Sequence, residues 1–459
     1  MRAEKGELKE ALFIYQETLK FRLEKLGPLA PGIADVYSAI GEVYHALKNQ
    51  TAALHNFQQA YSIREQVLSL NHKDTIKSIR DMGDMCQWLK NYPEAFKYHQ
   101  QALQIHIEVD GINSVGAADS YHDMGDLYLD TDNYSESLKN FQLALTIREK
   151  ICGCDHLNVA LSFTGLGDLY LAQEDFSTAL KYIQQALQIR EVAGGPKCVN
   201  VANSLDDIGE IYKVQEEFTM ALGFYQRALE IREEILGPSH PDTALSHKNV
   251  GLMHFDNENF QGCYDSYQKA LNICEMVFGL VHIETLDVVE AIAQLHNSNR
   301  NLAESLVFYE RALMISEQVN GPKHIHTAHI YMDLGAKHRH IAITKVIEKI
   351  NESGKREVHE DNSGFHKALN YLKQSLHIRK EVLGPDHEDT AEVNGLVGET
   401  LLDVNQYKEA LPYFINAFNS YEKMQDDDAK INAFQNVGFL YSLLLLILFS
   451  ISICMRSML

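Results

Sequence analysis

The 459-residue sequence predicts an all-α fold, a linear array of antiparallel helix pairs. Three observations carry this. First, Gly41, Gly83, Gly125, Gly167, Gly209 and Gly251 stand 42 residues apart, Ala293 and Gly335 continue the register, and Gly398 carries it in a later unit. The tetrapeptide DMGD at 81–84 recurs at 123–126 as part of this register. Second, small residues follow twelve positions on (Ala53, Ala95, Ala179, Ala221, Ala410) and nineteen on (Ala60, Ala102, Ala144, Ala186, Ala228, Ala270, Ala312, Ala417). Aromatics follow at nine (Tyr92, Tyr134, Phe176, Phe218, Phe260) and at sixteen (Phe57, Phe141, Tyr225, Tyr267, Tyr309). Third, apolar residues between these landmarks fall at spacings of three and four, the period of an amphipathic helix.

One period shows each element. In 199–215, Val201, Leu205, Ile208, Ile211 and Tyr212 mark the apolar face of a first helix. A polar turn around Glu216 and Glu217 follows. In 218–235, Ala221, Leu222, Tyr225, Leu229, Ile231 and Ile235 mark a second helix, and LGPSHPDT (236–243) ends it. Gly237 can stop the helix, and Pro238 and Pro241 prevent its continuation. Glycine and alanine at fixed places let the two helices approach where larger side chains would hold them apart.

A period near 40 residues also fits HEAT and armadillo helices and WD40 blades. A propeller needs strand-rich blades and a Trp-Asp signature, whereas this chain has one tryptophan, Trp88. Glycine followed by small residues at twelve and nineteen and aromatics at nine and sixteen resembles the tetratricopeptide repeat (TPR). The longer period, with ALEIREEILGPSHPDTA (228–244) and IRKEVLGPDHEDTA (378–391), is similar to the TPRs of kinesin light chains and nephrocystin-like proteins. The resemblance covers about residues 6–441. It implies a right-handed superhelical solenoid of antiparallel helix pairs, a TPR array that serves as a protein–protein interaction scaffold or adaptor.

Along the chain, residues 1–30 form an incomplete N-terminal unit, in which GELKEAL (6–12) matches the start of a second helix. Such a start suggests a fragment of a longer protein. Residues 31–336 carry the regular array. Between Gly335 and Phe365 lie 21 extra residues, so 337–364 is an insertion within a repeat, read as a lengthened helix pair with a solvated loop or as a docking or regulated loop. Further helices occupy 365–430, giving nine helix pairs with incomplete units at both ends. Residues 431–459 begin as a first helix and become apolar. The uncharged stretch 437–455 is long enough to span a bilayer, which leaves open a tail-anchored receptor on an organelle membrane, a misassembled gene end and a buried capping helix.

The net charge of −22 argues against nonspecific nucleic-acid binding, which needs positive charge to displace counterions. Seven scattered cysteines in a chain with no signal peptide suit reduced thiols and a cytoplasmic location. CGCDH (152–156) occupies the register of LGPSH (236–240) and LGPDH (383–387), so Cys152 and Cys154 replace loop residues, and no second pair at zinc-like spacing accompanies them. His240, His282, His324 and His387 recur at one loop position and read as turn geometry. Phosphate loops, nucleophile elbows and HExxH are absent from the sequence. No catalysis, cofactor or metal is expected. The recurrent Arg-Glu pairs (Arg64-Glu65, Arg148-Glu149, Arg190-Glu191, Arg232-Glu233) read as charges tying neighbouring repeats, weak if exposed.

In TPR proteins the first helix of each pair lines the concave groove, and residues flanking the glycine meet ligands. That register implies a partner-binding groove of Glu42, Asp81, Asp84, Asp123, Asp126, Asp168, Asp207 and Glu210. A spacing of three places each pair on one helical face. The expected partner is a protein with basic segments, held as an extended peptide or helix. The competing expectation is a solvated acidic surface with no ligand.

Overall fold

A computed structural model describes residues 5–47, 49–353 and 362–424. Every regular element among them is helical. Contacts divide the chain into two compact units, Met1–Ile273 and Cys274–Leu459. In the first, α1 (Lys5–Leu26) is followed by α2 (Pro31–Ala46) and α3 (Gln50–Val67), α4 (Lys73–Trp88) and α5 (Tyr92–Asp110), and α6 (Val115–Asp130) and α7 (Tyr134–Cys152). Then come α8 (Leu157–Ala172) and α9 (Phe176–Gly194), α10 (Val199–Val214) and α11 (Phe218–Ile235), and α12 (Pro241–Asp256). Helix α13 (Phe260–Phe278) contains the boundary. The second unit holds α14 (Ile283–Ser298), α15 (Leu302–Val319), α16 (Ile325–Ser353), α17 (Ser363–Val382), α18 (Glu388–Asp403) and α19 (Tyr407–Met424).

The glycine register is steric. A Cβ on Gly41 would lie 2.8 Å from Phe57, on Gly125 2.7 Å from Phe141, on Gly251 2.5 Å from Tyr267 and on Gly398 2.8 Å from Phe414. The side chain sixteen positions on therefore lies across the glycine, and only a missing side chain leaves room for it. Alanines at twelve and nineteen, such as Ala53, Ala60, Ala95 and Ala102, are fully buried at the same helix contacts. Where serine replaces alanine at twelve, its hydroxyl stays satisfied: Ser137 Oγ donates to Gly125 O at 2.9 Å and Ser305 Oγ to Ala293 O at 2.9 Å.

The loops repeat with equal regularity. Second helices end at glycines with φ near +80 to +96°, including Gly111, Gly153, Gly195, Gly237, Gly321 and Gly384, a region that favours glycine because it has no Cβ. The loop histidines are N-caps. Nδ1 of His72, His156, His240, His282, His324 and His387 accepts from the backbone N–H two residues on, satisfying a donor the helix cannot. His156 thus has the same capping role in CGCDH as its counterparts elsewhere.

The Arg-Glu pairs do tie neighbouring repeats, through the arginine and from a buried position. Arg64, Arg148, Arg190 and Arg232 are buried, and the glutamate beside each is not their partner. Each arginine sends Nη1 to a serine fourteen residues on, at Ser78, Ser162, Ser204 and Ser246, on the first helix of the next repeat. Nη2 turns back to the first helix of its own repeat: to Asp35 from Arg64, Asp119 from Arg148, Thr164 from Arg190 and Asn203 from Arg232. One side chain therefore fastens three helices. Between Arg64 and Arg232 the ladder lapses once, where His106 holds the arginine register and the buried Ser120 Oγ has no hydrogen-bond partner.

In the second unit, α16 has 29 residues where α14 and α18 have 16. Its extension is packed: Ala342 is buried, and Arg339 reaches Glu399 at 2.7 Å and Asp403 at 2.6 Å on α18. The start of the inserted sequence is thus helix tied to the following repeat. No described helix is long and apolar enough to cross a membrane. The apolar stretch 437–455 and the truncated repeat at 431–459 lie outside the described residues.

Candidate partner-binding cleft

Within the first unit, the first helices of successive repeats form the wall of a cleft of about 800 Å³. Six of the eight sequence-predicted groove residues line it: Glu42 from α2, Asp81 and Asp84 from α4, Asp123 and Asp126 from α6, and Asp168 from α8. Asp207 and Glu210 on α10 do not. Glu210 is engaged by Lys213 at 2.6 Å and by the Tyr225 hydroxyl at 2.9 Å. The cleft also contains residues that the register did not single out, notably Trp88, His45, Lys90 and Asp130.

Part of the acidity is neutralised internally. Lys77 Nζ lies 2.8 Å from Glu42, and Arg80 forks onto Asp123 through Nε at 2.7 Å and Nη2 at 3.1 Å. Gln87 donates to Asp130 at 2.7 Å. Asp81, Asp84, Asp126 and Asp168 receive no such cation. Burial pushes the Asp81 carboxyl up to about 6 against the pull of Lys77, and Asp168 up to about 6. Asp84 is pushed up to about 7 by burial and then by Asp123, and the same two causes hold Asp126 well above the carboxylate range. Asp84 and Asp126 nonetheless keep 50% and 44% of their side-chain surface accessible, so water moderates both shifts. Four crowded carboxyls short of positive charge are a site that gains from an added cation.

Asp207 supplies a test of these electrostatics outside the cleft. Burial, followed by Asp168, raises its carboxyl to about 7, although Arg190 stands 4.0 Å away. The folded state therefore binds this proton more tightly than the unfolded chain between about pH 4 and pH 7, and stability falls as pH rises through that window. Asp207→Asn removes the loss, and Arg190 keeps Ser204 and Thr164 as partners. In urea melts the variant should exceed the wild type by about 1–2 kcal/mol at pH 8, a value discounted for partial exposure, with the gain vanishing near pH 4.

A tetratricopeptide repeat profile matches residues 1–66, 74–150, 124–192, 199–261 and 357–443, and a second of the same description matches 285–326. The chain belongs to the tetratricopeptide repeat family. Curated proteins provide no sequence match to this TPR chain. Among solved structures it is similar to a signal transduction ATPase with numerous domains that carries a tetratricopeptide repeat sensor, from Pyrococcus horikoshii. The TM-score is 0.54 at 13% identity, covering 86% of this chain and 55% of that one. At that identity the shared feature is the fold. It is also similar to BtubC (BKLC) from P. vanneervenii, with TM-score 0.41 and 20% identity over 51% of this chain and 93% of that one. Putative kinesin light chain TPR-like repeats from Podosopora anserina give TM-score 0.37 and 15% identity, over 44% and 96% of the two chains.

Proposed function

We propose that this TPR protein is a non-catalytic scaffold that holds a cationic segment of a protein partner in the cleft of the first unit. Membership of the family supports protein interaction in general. The observation that favours a basic ligand is the clustering of Asp81, Asp84, Asp126 and Asp168 in one cleft, where only Glu42 and Asp123 have a lysine or arginine in contact. An extended segment with lysine or arginine along one side can meet carboxylates on three successive first helices, while Trp88 offers an aromatic face. Each contact is weak, and their sum along the repeats supplies the affinity.

The experiment uses the full chain, a chelator, and two labelled peptides that differ only in lysine and arginine against glutamate. The basic peptide should quench or shift the fluorescence of Trp88, the only tryptophan, and should bind more weakly as salt rises. Asp126→Asn combined with Asp168→Asn should weaken it about tenfold, from two contacts near 0.5–1 kcal/mol each, and flatten the salt dependence. Equal affinity of the double variant at every salt concentration would reduce the acidic stripe to a solvated surface.

A further inference from the structure

We infer that Asp84, His99 and Asp123 form a binding site for a divalent transition cation of the zinc class at the floor of the acidic cleft. Two independent observations carry this. Among the described residues, these three offer one ligand atom each with all three atoms within 4.8 Å of one another. His99 is also fully buried, and neither ring nitrogen has a hydrogen-bond partner. Its Nε2 points at Asp84 Oδ1 from 3.7 Å, too long for a hydrogen bond. Ligand atoms on a tetrahedral zinc, each about 2.0–2.1 Å from the metal, stand about 3.3–3.4 Å apart, so a small closure would seat an ion.

The repeat register makes His99 anomalous. It lies sixteen residues after Gly83, across which its ring packs, in the position held by Phe57, Phe141, Tyr225, Tyr267 and Phe414 in other repeats. An apolar ring fills that space without leaving two ring nitrogens unsatisfied. The geometry also aims the side chain's tip. In the repeat of Gly209, the Tyr225 hydroxyl donates to Glu210, the residue just after the glycine, at 2.9 Å. Asp84 holds that same place after Gly83, and Asp123 reaches across from the next repeat.

Burial lowers the proton affinity of His99, which leaves the imidazole neutral and free to ligate. With the metal on Nε2, the ring proton resides on Nδ1. Arg80 already occupies one lone pair on each Asp123 oxygen, and a carboxylate oxygen has a second to give. Three protein ligands leave a fourth position facing the cleft, as in open zinc sites.

The test uses the full chain under reducing conditions with Zn²⁺ and Co²⁺ alone and no peptide, so it stands apart from peptide binding. Wild type should take one equivalent of Co²⁺ with a visible d–d band that Zn²⁺ displaces, and Zn²⁺ should raise its melting temperature. His99→Phe restores the ring used elsewhere and should fold, yet lose both the band and the thermal shift. Asp84→Asn, on a half-exposed side chain, should weaken Zn²⁺ binding at least tenfold and keeps the test valid should the phenylalanine variant misfold. No metal binding by the wild type overturns the site. So does equal binding by a folded His99→Phe or Asp84→Asn variant, which would assign the ion to cysteines.

Discussion

Gly125→Leu should leave the first unit unable to pack, with the loss of a cooperative melt or a destabilisation of more than about 3 kcal/mol. The Phe141 ring is fully buried, and a Cβ at residue 125 would stand 2.7 Å from it. The ring has little room to retreat, because it also lies against Gly165 of the next repeat, where a Cβ would stand 2.6 Å away. The leucine would add three further carbons to a contact that has no room for one. Each repeat is stable only through its neighbours, so separating α6 from α7 also weakens the stacking of α8. Gly223 is the control. It lies within α11, exposed, with nothing within 4 Å of an added Cβ, and Gly223→Ala should gain about 0.5–1 kcal/mol from helix propensity. Circular dichroism and urea melts of both variants check the pair of expectations, and a Gly125→Leu protein that melts like wild type would refute the steric reading.

Arg232→Met should cost about 3–4 kcal/mol, far beyond the value of a surface ion pair. The guanidinium is buried, donates to Ser246 on α12 at 2.6 Å and to Asn203 on α10 at 2.8 Å, and lies 2.5 Å from the Asp206 carboxylate. Methionine replaces most of the aliphatic stem, so the loss is chiefly of hydrogen bonds and charge. It strands an acid whose proton affinity burial already raises. A urea midpoint within error of wild type would show that these contacts are not maintained in solution.

Much of the architecture is legible in the sequence for a physical reason. A stacked repeat must present the same steric surface at every interface, so Gly125, Ala144 and Phe141 recur at fixed spacing and declare the helix pairs. The acids also follow from one register, since a first helix places Asp123 and Asp126 on one face. The insertion is legible as length between Gly335 and Phe365 and as a lengthened helix, but the ties of Arg339 to Glu399 and Asp403 are not.

The arginines are legible as a recurring pattern that ties neighbouring repeats, but their burial is not, because Arg-Glu on a helix looks alike whether it faces water or the next repeat. A sharper signal is present: serines at 78, 162, 204 and 246 recur fourteen residues after each arginine, a spacing that reaches the first helix of the following repeat. His99 was legible as a departure from the aromatic register, but its neighbours were not. Asp84 lies fifteen residues before it and Asp123 twenty-four after it, and no helical period joins three such positions.

The sequence by itself determined the all-α repeat, the length of each helix pair, the glycine contacts and the sign of the charge along the first helices. These are local or strictly periodic properties, written once per repeat. Only the tertiary structure decided which acids share one cleft and which are already paired. It alone set Asp123 against Arg80 and Glu210 against Lys213, while leaving Asp84, Asp126 and Asp168 short of positive charge. Such pairings depend on the stacking distance between one repeat and the next, and one-dimensional spacing carries no measure of that distance.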